Sequence, residues 1–313
     1  MTAGPLEGVL VVDKPTGPTS FDVVRKIKRA SQQKRVGHGG TLDPLASGVL
    51  PICLGEATKL APFLLDADKE YDVTLRLGVE TDTYDAAGAV TATADASAID
   101  EARVRAALPA FTGAIEQRPP MYSALKREGR PLYDYARAGE TVEVAARAVT
   151  VHELALVGWG GPEAVALRVR CSKGTYVRSL AFDLGRALGV GAHVTVLRRT
   201  RSGPFALAGA VPLDEALAAL PAGTAPLVRL EDVLAPMPRC SVDAATARAL
   251  EQGKKLPWEA LGGAPEGRVQ VLRPDGRLLA VAVPRPDGTV QTLRVFGVAQ
   301  SDGENSSESK GIR

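Results

Sequence analysis

The residues with the most chemical content lie in the run Gly37-His38-Gly39-Gly40-Thr41-Leu42-Asp43-Pro44-Leu45-Ala46-Ser47-Gly48. One carboxylate, Asp43, stands five positions after His38, among four glycines and a proline. Glycine and proline are disfavoured both in helices and in central strands, so this stretch is neither. It reads as a tight loop with exposed backbone, which lets a planar ligand approach the main chain. A lone aspartate in such a loop is commonly a turn residue satisfying its own backbone. The preceding segment argues for more. Between Lys14 and Arg35 lie Arg25, Lys26, Lys28, Arg29 and Lys34, opposed only by Asp22. Positive charge leading into a single carboxylate suits a polyanion whose reacting group is uncharged, such as RNA with a base to be modified.

The elements that must hold this loop are also legible. Thr19-Ser20-Phe21-Asp22 has the form of a capping box, and Phe21, Val24 and Ile27 follow at helical spacing. That predicts a helix with a buried apolar stripe and a basic outer face. Residues 69–78 alternate, with Tyr71, Val73, Leu75 and Leu77 on one side, and residues 164–171 repeat the pattern. Both read as half-buried strands. Residues 175–188 place Val177, Leu180, Ala181, Leu184 and Leu188 on one helical stripe that Gly189 closes. Strands and helices cluster instead of alternating strictly, which predicts an α+β protein with a mixed or antiparallel central sheet.

Four blocks, taken in order, resemble one family. They are Val11-Val12-Asp13-Lys14-Pro15-Thr16-Gly17-Pro18-Thr19-Ser20, the glycine loop, Gln117-Arg118-Pro119-Pro120-Met121-Tyr122-Ser123-Ala124-Leu125-Lys126, and Cys171-Ser172-Lys173-Gly174-Thr175-Tyr176-Val177-Arg178. Together they resemble the TruB family of tRNA pseudouridine synthases. Gly39 and Ser47 stand where many members have threonine, and neither change removes a group the chemistry needs. The resemblance implies the pseudouridine synthase fold and isomerisation of a uridine, at position 55 in the T-arm of tRNA, reached by base flipping. It implies that Asp43 attacks the nucleotide covalently or withdraws a sugar proton to give a glycal, and the residues leave both routes open. Arg178 pairs with Asp43 in this reading, and Tyr71 stacks on the uracil and moves a proton at C5. Tyr176 and Leu197 line the pocket, although Leu197 reads equally well as core. His38 fills the stack that extruded bases leave, Lys14 supports the loop or a phosphate, and Lys126 contacts the pocket floor or the RNA backbone. Two alternatives stand beside this reading: the same chemistry on another RNA, and an RNA-binding protein or tRNA-folding chaperone whose catalysis is secondary. A glycosidase wants two spaced carboxylates, and the glycine loop supplies one.

Composition narrows the class. At 313 residues with 45% hydrophobic and 24% charged content, the chain is long enough for a large domain and a smaller one. A net charge of +2 means that nucleic-acid affinity must come from clustering. Cys53, Cys171 and Cys240 are widely separated, and His38, His152 and His193 have no metal-ligand spacing. The expectation is a reduced, cytoplasmic, metal-free protein with no cofactor, to which the resemblance adds tRNA as partner and a monomeric state. No targeting or membrane-spanning run is expected. Prolines 212, 221, 226, 236 and 238 punctuate a composition shift, which places a catalytic domain over residues 1–237. Residues 238–300 then form a separable β-rich module, by position similar to a PUA-type RNA-binding domain, with turns at Pro274-Asp275-Gly276 and Pro286-Asp287-Gly288. Residues 301–313 read as a disordered tail.

Overall fold

A computed structural model describes residues 6–123, 125–140 and 142–297. The tail expected over 301–313 and Ala124 of the third block lie outside the described residues. Among the described residues, eleven strands form one mixed sheet. Its main path runs Val211–Pro212, Gly8–Lys14, Ser47–Leu54, Ala192–Ser202, Lys69–Leu77, Val165–Cys171, Arg147–Trp159, Gly113–Gln117. Most neighbours are antiparallel, but Ala192–Ser202 runs parallel to Ser47–Leu54, with Arg198 opposite Ser47 and Arg199 opposite Gly48. The expected α+β class with a mixed sheet holds, and so do the strands read at residues 69–78 and 164–171. Among the described residues, no helix is long and apolar enough to cross a membrane.

The strands Gly8–Lys14 and Ser47–Leu54 are apolar nearly throughout because both of their faces are covered. Successive side chains point to opposite sides of a strand. Leu10, Val12, Leu50, Ile52 and Leu54 therefore join the core beneath the helices Ser20–Ser31, Val177–Ala187 and Leu213–Ala222. Val9, Val11, Val49 and Cys53 join a second cluster on the reverse face. The helix Ser20–Ser31 begins with the expected box: the Asp22 amide donates to Thr19 Oγ1 at 3.0 Å, and the Thr19 amide donates to Asp22 Oδ2 at 3.1 Å. Its buried stripe is Val23, Val24 and Ile27. Phe21 does not belong to it. The ring lies outside, 69% exposed, because Ser20, Val23, Val24 and Ile27 form the inward row and Phe21 sits roughly 100° round the axis from it.

A four-stranded sheet begins at Arg239, where the composition shift placed the module, and uses Arg239–Ser241, Val269–Leu272, Leu278–Pro284 and Val290–Val295 in that order. Leu279, Ala280 and Ala282 pack into its own core with Val242, Leu250 and Leu261. Leu278, Val281 and Phe296 instead enter the reverse-face cluster of the large sheet. Polar contacts tighten that seam. The Gly297 amide donates to Glu56 at 2.7 Å, and Lys59 donates to the Val295 carbonyl at 2.8 Å. Across this seam the two units share apolar surface. Phe296→Ala is expected to lower unfolding free energy by about 3–5 kcal/mol in denaturant titration. Removal of everything after Pro238 should leave a chain of sharply lower midpoint that aggregates through the uncovered sheet face.

Candidate active site

The glycine loop is bolted from three sides. Ser20 Oγ donates to the Leu42 carbonyl at 3.1 Å and accepts from the Leu42 amide at 2.7 Å, so the start of the first helix holds the residue before Asp43. The Gly17 amide donates to the Pro44 carbonyl at 2.8 Å. From below, the buried Arg199 guanidinium donates to the carbonyls of Val49, Thr41 and Gly40 at 2.7, 3.0 and 3.1 Å. Arg199 reaches them because its strand lies parallel beside Gly48, where φ is +102° and a Cβ would sit 2.2 Å from the Arg199 carbonyl oxygen. Only glycine fits there. The departure at Gly39 has a local counterpart: a Cβ there would come within 2.6 Å of the Leu64 side chain, which fills the space.

Asp43 meets Arg178 at the first turn of the helix Val177–Ala187, with Arg178 Nε donating to Asp43 Oδ2 at 2.8 Å. Arg178 is 3% exposed. Its Nη1 donates to the Thr83 carbonyl at 2.8 Å and its Nη2 to the Tyr122 carbonyl at 2.9 Å, so the guanidinium cannot swing. A second carboxylate, Asp85, lies 3.7 Å from Arg178 Nε and is itself buried. Asp85 accepts from Thr83 Oγ1 at 2.7 Å and the Ala87 amide at 3.0 Å. Within this turn Tyr84 adopts φ 63°, rare for an aromatic residue, and its ring stacks on Phe182 with centroids 4.0 Å apart. Sequence reasoning missed Asp85. The signal available was the acidic, hydroxyl-rich turn Thr81-Asp82-Thr83-Tyr84-Asp85 directly after an alternating strand.

A cleft of about 370 Å³ opens beside this pair, lined by Asp43, Tyr71, Tyr176, Arg178 and Leu197 together with Lys69 and Ser123. Five of the eight expected site residues therefore converge on one space. Burial raises the Tyr71 hydroxyl above its ordinary range, and the nearby Arg199 opposes that rise only in part, so Tyr71 is a neutral phenol at neutral pH. Leu197 serves both of its readings, packed in the core and facing the cleft. Tyr176 precedes the helix with its backbone clamped by Gln117, whose Oε1 accepts from the Tyr176 amide at 2.7 Å and whose Nε2 donates to its carbonyl at 3.0 Å. The Arg147 guanidinium lies 5.1 Å from the Tyr176 ring centre. Gln117, Arg147, Lys69 and Arg199 are supporting residues that sequence reasoning did not single out. Lys69 donates to the carbonyls of Leu64, Leu65 and Ala67, closing the end of the helix Ala61–Asp66, and burial lowers its pKa to about 8.

The other three expected residues lie elsewhere. Lys14 is 0% exposed and donates to the carbonyls of Pro15 and Pro18, both at 2.9 Å. Burial lowers its pKa to about 8 although Asp43 works in the other direction. It supports the loop, and its ammonium is not available to a phosphate. His38 ends the short strand Val36–His38, and its Nδ1 accepts from the Gly40 amide at 3.3 Å. Burial and the Arg199 charge push its pKa down, which keeps the ring neutral. Lys126 is exposed on the hairpin strand Lys126–Arg127, outside the cleft lining. Among the described residues, no three His, Cys, Asp or Glu side chains gather as a metal site.

Known proteins match the chain along most of its length. A model of the TruB family pseudouridylate synthase N-terminal domain matches residues 28–177, and one of the tRNA pseudouridylate synthase B C-terminal domain matches residues 178–240. A Burkholderia mallei protein named tRNA pseudouridine synthase B is 54% identical over 286 residues, covering 88% of this chain and 93% of its own length. A protein of the same name from Aromatoleum aromaticum is 50% identical over 294 residues, covering 93% of this chain and 92% of its own. Among solved structures, a Cbf5-Nop10-Gar1 complex supplies a chain of TM-score 0.72 and 29% identity, covering 93% of this chain and 85% of that one. An H/ACA RNP bound to a substrate RNA containing 2′-deoxyuridine gives a TM-score of 0.70 at 27% identity, covering 93% of this chain and 86% of that one. With its buried arginine–aspartate pair, its cleft and these relatives spanning most of its length, the chain belongs to the TruB family of pseudouridylate synthases.

Proposed function

We propose that this protein converts uridine 55 in the T-arm of tRNA to pseudouridine, with Asp43 as the group that acts on the ribose. The observation that carries the reading is the Asp43–Arg178 contact of 2.8 Å at the wall of a cleft shared with two tyrosines. The relatives' shared name, tRNA pseudouridine synthase B, supports tRNA as the substrate. The reaction breaks the bond from C1′ to N1, turns the uracil and forms a bond from C1′ to C5. N1 gains a proton and C5 loses one, so no oxidant or reductant is consumed. The arrangement suits each requirement. The Arg178 guanidinium fixes the Asp43 carboxylate at the cleft wall, where either route needs it, whether attack at C1′ or removal of the C2′ proton. Tyr71, Tyr176 and Leu197 offer flat and apolar walls that retain the detached base while it turns. As a neutral phenol, Tyr71 relays the C5 proton, taking it up as its own hydroxyl proton passes to solvent in the cleft, and does not act as an anionic base. His38, beside the loop, occupies the space that the flipped nucleotide vacates. The module at 238–300 adds phosphate contacts to the body of the tRNA.

Asp43→Asn is expected to abolish pseudouridine at position 55, mapped in tRNA incubated with purified protein, while tRNA affinity stays within a small factor. Measurable turnover by that variant would remove Asp43 from its role. Deuterium at C2′ of the target should slow turnover severalfold on the glycal route and leave it unchanged on the covalent one. Arg178→Ala should cost most of the turnover and about 3–5 kcal/mol of stability, because Asp43 and Asp85 lose a buried partner. Near-normal kcat in both Arg178→Ala and Arg178→Lys would refute the pairing. Gln117→Leu, which strands both backbone groups of Tyr176, should raise KM and lower kcat with a loss of about 1–3 kcal/mol in stability.

A further inference from the structure

The outer face of the helix Ser20–Ser31 carries an arrangement that packing does not require. Phe21 is 69% exposed, and Arg25, Lys28 and Gln32 follow it at i+4, i+7 and i+11, all exposed. At about 100° per residue these four fall within roughly 60° of one another around the axis. The stripe extends about 16 Å from Phe21 to Gln32 at the rise of an α-helix. Lys26 and Arg29 flank it, also exposed. Asp22, the one acid of the helix, is already engaged: it accepts from the Thr19 amide and hydroxyl and pairs with Arg25 at 2.8 Å. An isolated exposed phenylalanine needs no explanation. This one heads a basic stripe, and it sits at a particular place. Its neighbour Ser20 is hydrogen-bonded to both backbone groups of Leu42, and Leu42 precedes Asp43. The ring therefore leaves the backbone at the junction between helix and reaction loop.

We propose that Phe21 is a stacking platform for an unpaired base of the substrate RNA near the target uridine, with Arg25 and Lys28 holding phosphates of the same strand. The inference rests on the reading that RNA is the substrate. Every base has a π-face, so an exposed ring accepts any of them, and interleaved cations track the backbone. This surface complements a single strand, whose bases are splayed and whose phosphates are close together. A flipped uridine leaves its neighbours unstacked, and a ring beside the reaction loop is placed to cover one of them.

The test uses the full-length protein and a T-arm stem-loop RNA, with Kd measured by fluorescence anisotropy over a salt series and kcat under saturating RNA. Phe21→Ala should raise Kd about tenfold, with kcat and the salt slope unchanged. Phe21→Trp should restore affinity. Replacing Arg25 and Lys28 together by glutamine should make the slope of log K against log salt shallower by about 1.4, from two single-strand phosphate contacts. Abasic substitution at the stacked nucleotide should remove the penalty of Phe21→Ala. A Kd within twofold of wild type for Phe21→Ala would overturn the platform, as would a fall in kcat at unchanged Kd, which marks mere support of the loop. If the wild-type protein forms no pseudouridine in any RNA, the functional reading fails, and the Kd comparison still decides the platform.

Discussion

The buried charge of Arg178 is the constraint on which the site depends. A guanidinium taken out of water is costly unless its donors are met. Here Nε faces Asp43 and Asp85, Nη1 meets Thr83 and Nη2 meets Tyr122. One side chain thereby draws together the glycine loop, the turn after the strand Lys69–Leu77 and the Gln117–Lys126 block. None of these can shift without exposing another to an unpaired charge. A lysine has no such planar fork and would satisfy fewer of them in fixed directions.

Beneath that network lies the central sheet, which explains how distant segments reach one point. The parallel contact between Ala192–Ser202 and Ser47–Leu54 puts Arg199 under the loop, while the antiparallel contact with Lys69–Leu77 puts Leu197 opposite Val73. Tyr71 and Arg199 are direct partners across the same pair of strands. The reverse face of the sheet is closed by Leu278, Val281 and Phe296. The C-terminal module is thus continuous with the floor on which the reaction loop rests.

Local signals made much of this legible. The capping box at Thr19–Asp22, the alternation from Lys69 and the turns at Asp275 and Asp287 all reflect interactions within a few residues, and each formed as expected. Residues that depend on distant partners were harder to read. Asp85 looks like any turn acid until Arg178 is beside it, and Gln117 like any strand residue until the Tyr176 backbone meets its amide. Lys14 was open to two readings, support of the loop or of a phosphate, and only its packing shows the ammonium turned to the carbonyls of Pro15 and Pro18. Phe21 was placed by periodicity, yet the polar Ser20 takes the inward position beside it, because its hydroxyl holds both backbone groups of Leu42. The shared cluster behind the sheet joins positions more than 200 residues apart, beyond the reach of any local pattern.

The way the reaction loop is fastened decides where motion must come from. Ser20, Gly17 and Arg199 hold its backbone through five hydrogen bonds, and its glycines serve close approach more than hinge movement. A surface anchored in this manner offers no latch that opens and shuts around a base. In the proposed reaction the conformational work then belongs to the nucleic acid, which unstacks and swings its own nucleotide into a receptacle already shaped. On that reading the loop behaves as a mould whose shape precedes its substrate.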